Sequence, residues 1–434
     1  MSILITDWQQ LGIEDRRLLL CRPALKDGED MPEKVAAIVN AVRLRGDEAL
    51  RDLARQLDDA DLVELEVGDA EFAAAEEALD KAAVDAIELA IANVRRFHEA
   101  QRPQPVSVET MPGVRCQRVY HAIDSVGLYV PAGTAPLPSA AIMLAVPAAI
   151  AGCPTRIMCS PPRPDGTADP SVLVAARRAG VNRIFKVGGA QAIAAMAYGT
   201  RSVPKVLKVC GPGNAWVTAA KSLVAGDPGG AAIDMPAGPS EVLVIADDSA
   251  SAEFVAADLL SQAEHGVDSQ VLLVTTSASL ARSVQEAVEQ QLEPLSRSQI
   301  AREALAHSRI IVAESLDQAI AISNAYAPEH LILQVHDTEA ALPGVRNAGS
   351  VFVGPWTPES VGDYCSGTNH VLPTYGYART YSGLGVDQFM RQMTVQELTR
   401  EGLQGLGGAV VTLAGLEGLD AHAAAVTRRL EANG

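Results

Sequence analysis

Several features that commonly reveal a protein's chemistry are missing from this chain. Its six cysteines (Cys21, Cys116, Cys153, Cys159, Cys210 and Cys365) form no CxxC pair and no disulfide-framework spacing. They read as reduced thiols of a cytoplasmic protein, mostly small buried apolar residues. A metal site would therefore have to be built from His and carboxylates. There is no H-E-x-x-H, no P-loop and no G-x-S-x-G elbow, so the common zincin, nucleotide-hydrolase and α/β-hydrolase readings have no support. Positive charge is scarce: 35 Lys and Arg stand against 53 Asp and Glu, a formal net charge of -18. That balance argues against a nucleic acid or an anionic membrane as the main partner. It leaves room for a local positive pocket and for small anionic cofactors. The longest apolar stretch, about Ala140 to Cys153, is broken by Pro147 and is too short to span a bilayer of roughly 30 Å. It reads as a buried helix. The opening Met1-Ser-Ile-Leu-Ile-Thr-Asp-Trp8 has no basic n-region, long apolar core or cleavage site, so no secretory leader is expected.

What is present is ordinary globular composition, 48% hydrophobic and 20% charged over 434 residues. A chain of that length exceeds the size at which one core keeps growing, so two or more domains are expected. Residues 31–57 and 71–99 carry helical spacing of apolar residues around a short extended piece, Leu62 to Val67. From Ser125 onward, apolar runs at Val126–Val130, Arg156–Cys159, Arg183–Val187 and Val206–Cys210 alternate with Ala-rich helical patterns. That spacing matches βαβ units and a parallel sheet. A second series follows at Val242–Ala246, Val271–Thr275, Arg309–Val312, Leu331–Val335 and Ser350–Val353, with helices near 251–264, 278–291 and 316–325. Two such series predict an α/β protein with two doubly wound, Rossmann-like lobes and a cleft at the carboxyl ends of their strands. The boundary is expected in the Gly/Pro-containing segment 226–240. Residues 355–386, rich in Gly, Tyr, Thr and Pro, read as a long loop, functional or disordered. The tail, 394–432, reads as helix with an extended patch at Ala409–Leu413, too short to fold alone.

The run Ala325-Tyr-Ala-Pro-Glu-His-Leu331 places an acid, Glu329, beside a base, His330, where a helical pattern gives way to a strand. Neighbouring side chains on a regular strand point to opposite faces, so the pair converges only in a loop or at an irregular strand start. Pro328 favours that reading. Such a pair suits an oxidation that consumes water, and equally a surface Glu next to a His hydrogen-bonded at a strand end. Two glycine turns, Val187-Gly-Gly-Ala-Gln191 and Cys210-Gly-Pro-Gly-Asn214, let backbone approach an anion. Neither completes G-x-G-x-x-G, because Trp216 holds the third glycine position of the second. They are tight βα turns or an unusual nucleotide site. Gln262 and His265 share a helical face; with a carboxylate they make a zinc site, and without one His265 is a helix C-terminal His. Asp363, His422 and Ser240 are ambiguous singly.

Together these runs closely resemble the histidinol dehydrogenase family over essentially the whole chain. The most specific parts are Gly127-Leu-Tyr-Val-Pro131, Gly188-Gly-Ala-Gln-Ala-Ile193, Ile233–Glu241, Ser261–Gly266, Pro328-Glu-His330 and Ser366-Gly-Thr-Asn-His-Val-Leu-Pro373. The resemblance implies oxidation of L-histidinol to L-histidine through L-histidinaldehyde, the last step of histidine biosynthesis, with two NAD used in succession and one water. It implies one zinc per subunit held by Gln262, His265, Asp363 and His422, mainly to orient the substrate. His330 would be the general base and Glu329 would activate water. Ser240, Gln262, His265, His330, Asp363, Glu417 and His422 would form the substrate site, and Tyr129, Gln191 and Asn214 would contact NAD. His370 is expected only to orient its loop. The family is dimeric with intertwined terminal segments, so Glu417 and His422 would reach the partner subunit's site. On this reading residues 1–27 form an N-terminal segment with dimer contacts, and 28–128 plus 239–384 form the first lobe. Residues 129–238 form the second, NAD-contacting lobe, and 385–434 form the C-terminal segment. The competing readings are a paralogous zinc/NAD dehydrogenase of another small polar alcohol, a zinc hydrolase using Glu329, and a noncatalytic metabolite binder.

Overall fold

The computed structural model describes residues 3–23, 30–132, 135–236 and 238–432. Two parallel sheets organise it. The larger has six strands in the order Leu4–Asp7, Arg309–Val312, Gln270–Thr275, Glu241–Ala246, His330–Gln334 and Ser350–Val353. The smaller has five, in the order Arg183–Lys186, Thr155–Ser160, Ser125–Tyr129, Lys208–Cys210 and Ala232–Ile233. The central strand Glu241–Ala246 is buried at every position, as expected of a parallel strand covered by helices on both faces. The expected two-lobed α/β class is therefore the observed one. The expected buried helix is Pro138–Ala151, apolar on all sides and starting with proline at its first turn.

Local features depart from expectation for identifiable reasons. Leu4–Asp7 adds an edge strand to the larger sheet by pairing in parallel with Arg309–Val312; four residues are too few for a periodicity signal. The first helical region consists of helices Met31–Arg45 and Asp47–Leu57, and the second of Asp69–Ala78 and Lys81–Ala100. Between them, Leu62–Val67 forms only an isolated bridge from Glu66 to Phe185. Within the tail, Met390–Leu398 is a strand, paired antiparallel with Val114–Ala122, which also pairs with Val106–Met111. The extended patch expected at Ala409–Leu413 lies inside helix Arg400–Leu416. Its β-branched residues are overridden by packing of that helix on helix Asp420–Glu431, where Gly407 sits against Leu430.

The grouping of 28–128 with 239–384 does not match the packing. Val35, Val39 and Leu50 share a core with Ile157, Phe185 and Ile193, and Phe72, Ile91 and Val94 share one with Leu128 and Met143. These helices cover the five-stranded sheet because their apolar stripes meet its helices, not those of the larger sheet. Strand Ser125–Tyr129 also crosses the expected 128/129 boundary. The boundary between 27 and 28 lies outside the described residues. Among the described residues, no helix is long and apolar enough to cross a membrane.

The lobes are joined by the run from Ile233 to Glu241, where a buried lysine governs the turn. Lys221 is 1% exposed; it pairs with Asp234 Oδ1 and donates to the carbonyls of Gly211 (2.9 Å) and Met235 (3.0 Å). Asp234 Oδ2 accepts from the Gly211 amide at 2.7 Å. Gly211 has φ +137°, and a Cβ there would lie 2.2 Å from the Tyr129 carbonyl oxygen, so only glycine fits. Lys221→Met should strand the Asp234 charge and lower unfolding free energy by about 3–5 kcal/mol. In denaturant titrations, the double variant Lys221→Met/Asp234→Asn should recover part of that loss.

Candidate functional site

Helix Leu316–Tyr326 ends at Ala327, a non-glycine residue with φ +56° and ψ +70°. Pro328 follows, and strand His330–Gln334 begins two residues later. This irregular exit turns neighbouring side chains into one space, as the sequence requires for them to act together. Glu329 Oε2 lies 3.5 Å from His330 Nδ1. The carbonyls of Pro328 and Glu329 accept from the amides of Gly349 (3.0 Å) and Ser350 (2.9 Å). Both catalytic candidates meet the main chain of Glu241: its amide donates to Glu329 Oε2 at 2.8 Å, and its carbonyl lies 3.1 Å from His330 Nδ1. A carbonyl only accepts, so Nδ1 carries the proton and Nε2 is the position that exchanges one. Nε2 is buried without a hydrogen-bond partner, 3.5 Å from Asp363 Oδ1.

Around it lies an acidic nest. Helix Glu359–Tyr364 places Glu359 and Asp363 one turn apart. Ligand atoms of His265, Glu359 and Asp363 all fall within 4.8 Å of one another. Gln262 is fully buried beside them; with its amide oriented to satisfy its neighbours, its nitrogen donates to Glu359 Oε2 at 2.7 Å. Burial is the largest influence on His330 and disfavours its charged form, but Glu329, Glu359 and Asp363 outweigh it and raise its pKa well above the ordinary value. Burial pushes Glu329 up to about 8 and Asp258 up to about 7. So many acids in a dry space favour a cation. The oxygen and nitrogen donors, the absence of thiolate, and the unpartnered Asp363 Oδ1 suit a borderline divalent ion such as zinc.

The remaining expected site residues separate into three groups. Ser240 Oγ is 3.5 Å from His265 Nδ1, and His370 Nδ1 is 2.8 Å from the Asp363 carbonyl; both belong to this nest. Tyr129, Gln191 and Asn214 lie in the five-stranded lobe. The Tyr129 hydroxyl accepts from the Gly189 amide at 3.0 Å, and the Asn214 side chain caps its helix through the Val217 amide at 3.1 Å. Gln191 is 2% exposed and its Oε1 has no partner. Both turns lead directly into helix N-termini, at Gly189 and Ala215, positions whose free amides attract anions. Glu417 and His422 are exposed on the C-terminal helical hairpin, and among the described residues neither side chain bonds to the nest. Sequence reasoning missed Glu359, Asp258, Glu241 and Arg22. Only Glu359 left a signal, its i,i+4 spacing to Asp363.

Two parallel α/β lobes with a buried acid–base pair beside a possible metal site define an α/β enzyme built for proton transfer. The histidinol dehydrogenase family model matches residues 22–430. Histidinol dehydrogenase from Vibrio parahaemolyticus is 55% identical over 98% of this chain and 97% of its own. The Xanthomonas oryzae enzyme of that name is 55% identical over 98% and 99%. The crystal structure of histidinol dehydrogenase from Elizabethkingia anophelis superposes with TM-score 0.94 at 43% identity, covering 99% of this chain and 98% of that one. The chain belongs to the histidinol dehydrogenase family.

The acid nest has a pH consequence outside the ligands themselves. Asp258 is 5% exposed and accepts from Gln334 Nε2 at 2.7 Å. Its folded pKa exceeds the unfolded value, so stability falls as pH rises from about 4 to about 7. Asp258→Asn should remove that slope and gain about 2–4 kcal/mol at pH 8 relative to pH 4. Urea midpoints measured across that range check it.

Proposed function

We propose that the chain oxidises L-histidinol to L-histidine through L-histidinaldehyde, in the last step of histidine biosynthesis, using zinc and two NAD. The balance is one alcohol, two NAD+ and one water giving one carboxylate, two NADH and three protons. The observation that carries this reading is the Glu329–His330 pair held by the Glu241 main chain, with Nε2 aimed into the nest. Gln262, His265 and Asp363 would hold zinc from this chain, and His422 would come from a partner. When bound, zinc supplies the positive charge that orients the substrate's imidazole and amine.

His330 Nε2 takes the hydroxyl proton as hydride leaves for the nicotinamide. Glu329 then takes a proton from water that attacks the aldehyde carbon, giving the hydrate from which the second hydride departs. Its pKa near 8 suits a group that accepts and releases a proton close to neutrality. Ser240, at the linker beside His265, contacts the substrate. NAD lies against Tyr129, Gln191 and Asn214, and Glu417 reads the substrate's ammonium. The reaction runs in the cytoplasm, on a soluble homodimer.

With zinc-loaded protein and limiting histidinol, two NADH should form per histidinol. His330→Asn should nearly abolish the first oxidation, and Glu329→Gln should impair aldehyde oxidation more than alcohol oxidation. One NADH per histidinol, or none, would move the reading to a paralogous dehydrogenase or other chemistry.

Exchange of the tail explains why Glu417 and His422 are exposed here, beside exposed Leu413 and Leu416. Subunits carrying His422→Asn and His330→Asn should each be nearly inactive. Mixed and reassociated, they should recover about a quarter of parental turnover, because each hybrid dimer holds one intact site. No recovery from verified hybrids would place both residues in a single subunit's site.

A further inference from the structure

Arg22 lies at the end of the N-terminal segment, 219 positions from Glu241 in the chain and 304 from Tyr326, yet it is 7% exposed and bonded to both. We propose that Arg22, through Glu241, is the positioning residue that sets the geometry of Glu329 and His330 for proton transfer. The inference rests on the reading that those two residues carry the proton steps.

Two of the three guanidinium nitrogens, Nε and Nη2, are used toward that end. Nε and Nη2 donate to the two carboxylate oxygens of Glu241 at 2.8 and 2.9 Å. Nη2 also donates to the carbonyls of Tyr326 (2.8 Å) and Ala327 (3.3 Å). The guanidinium carbon stands 3.8 Å from the centroid of the Tyr326 ring. The first contacts immobilise Glu241, whose amide and carbonyl then hold Glu329 and His330. The others clamp the left-handed turn at Ala327 (φ +56°), from which the chain enters Pro328-Glu329-His330. A non-glycine residue persists in that conformation only when its surroundings over-determine it. The opposite side of the same run is tied to Gly349 and Ser350. Arg22 completes the enclosure, and Tyr375, whose amide donates to Glu241 Oε1 at 2.9 Å, braces the acid from the loop after Asp363.

Lysine cannot replace this arrangement. An ammonium is a point charge without the planar fork that reaches a carboxylate bidentately and two carbonyls together. Displacement of a catalytic group by about 1 Å lowers rate roughly 100-fold without removing any group that touches substrate. A residue serving stability alone would change the folded fraction and leave the turnover per folded, zinc-loaded site intact.

The test compares Arg22→Lys with the parent as full-length, zinc-loaded protein. It measures zinc content, histidinol KM and kcat for the alcohol and aldehyde oxidations. Zinc stoichiometry should hold, KM should stay within about threefold, and both kcat values should fall roughly 100-fold. A kcat within threefold of the parent overturns the proposal. If Arg22→Lys does not fold, Glu241→Gln takes its place, since it keeps shape and an acceptor for the Tyr375 amide while weakening the ion pair. It is read by the same two criteria. Glu329→Gln and His330→Asn run in parallel. If they turn over normally, the proton-step reading itself fails; if they are impaired while Arg22→Lys is not, only the role of Arg22 fails.

Discussion

The start of strand Glu241–Ala246 is where the structure concentrates its constraints. Parallel pairing in which His330 faces Val242 leaves Glu241, in register with Gln270 on its other side, one step beyond the ladder with strand His330–Gln334, so its amide and carbonyl meet the side chains of Glu329 and His330. That placement buries a carboxylate at 2% exposure. An isolated charge there would be costly, and a bidentate guanidinium is among the few partners able to offset it. The N-terminal segment supplies it. Its strand, Leu4–Asp7, docks on the far edge of the same sheet, and Arg22 then reaches the central strand.

The same strand start ties the two lobes together. Asp234 holds the Gly211 turn from one end of the linker, and Glu241 holds the acid–base pair from the other. Between them, the Gly238 amide donates to Thr374 Oγ1 at 2.6 Å, bringing the loop after Asp363 into register. A change at the glycine turn therefore has a short covalent and hydrogen-bonded route to the acid nest. The nest is electrostatically unbalanced within this chain, with Glu329, Glu359, Asp363 and Asp258 gathered near His330 and His265. Perturbed acids gathered in this way mark a candidate functional site. A cation among these acids would offset their pull on His330 and ease loss of its proton.

Much of this was legible before folding. Alternation of β-branched runs with Ala-rich helical patterns predicts two parallel α/β series, since period and spacing are local properties of the chain. The convergence of Glu329 and His330 follows from Pro328 and an irregular strand start, and the observed left-handed Ala327 supplies that irregularity. The assignment of helices 31–100 to the wrong lobe has an equally physical cause. An amphipathic stripe declares that a helix has a buried face without naming the surface that covers it. Residues 394–398, helical by local pattern, instead complete strand Met390–Leu398, because a long-range partner, Val114–Ala122, decides their conformation.

The site divides in the same way. Gln262 with His265, Asp363 and the Glu329–His330 pair stand out as local patterns, and their family resemblance adds the chemistry they would serve. Arg22, Glu241, Glu359 and Asp258 carry no such pattern beyond one i,i+4 spacing. Their importance arises from burial beside one another, which depends on strand register, on the edge strand at Leu4–Asp7 and on a linker that joins two sheets. Fold class and reactive residue types were already written in the chain, because they follow from short-range periodicity and side-chain chemistry. Which distant charges meet was settled by folding, because their energies depend on desolvation and distance that no local pattern encodes.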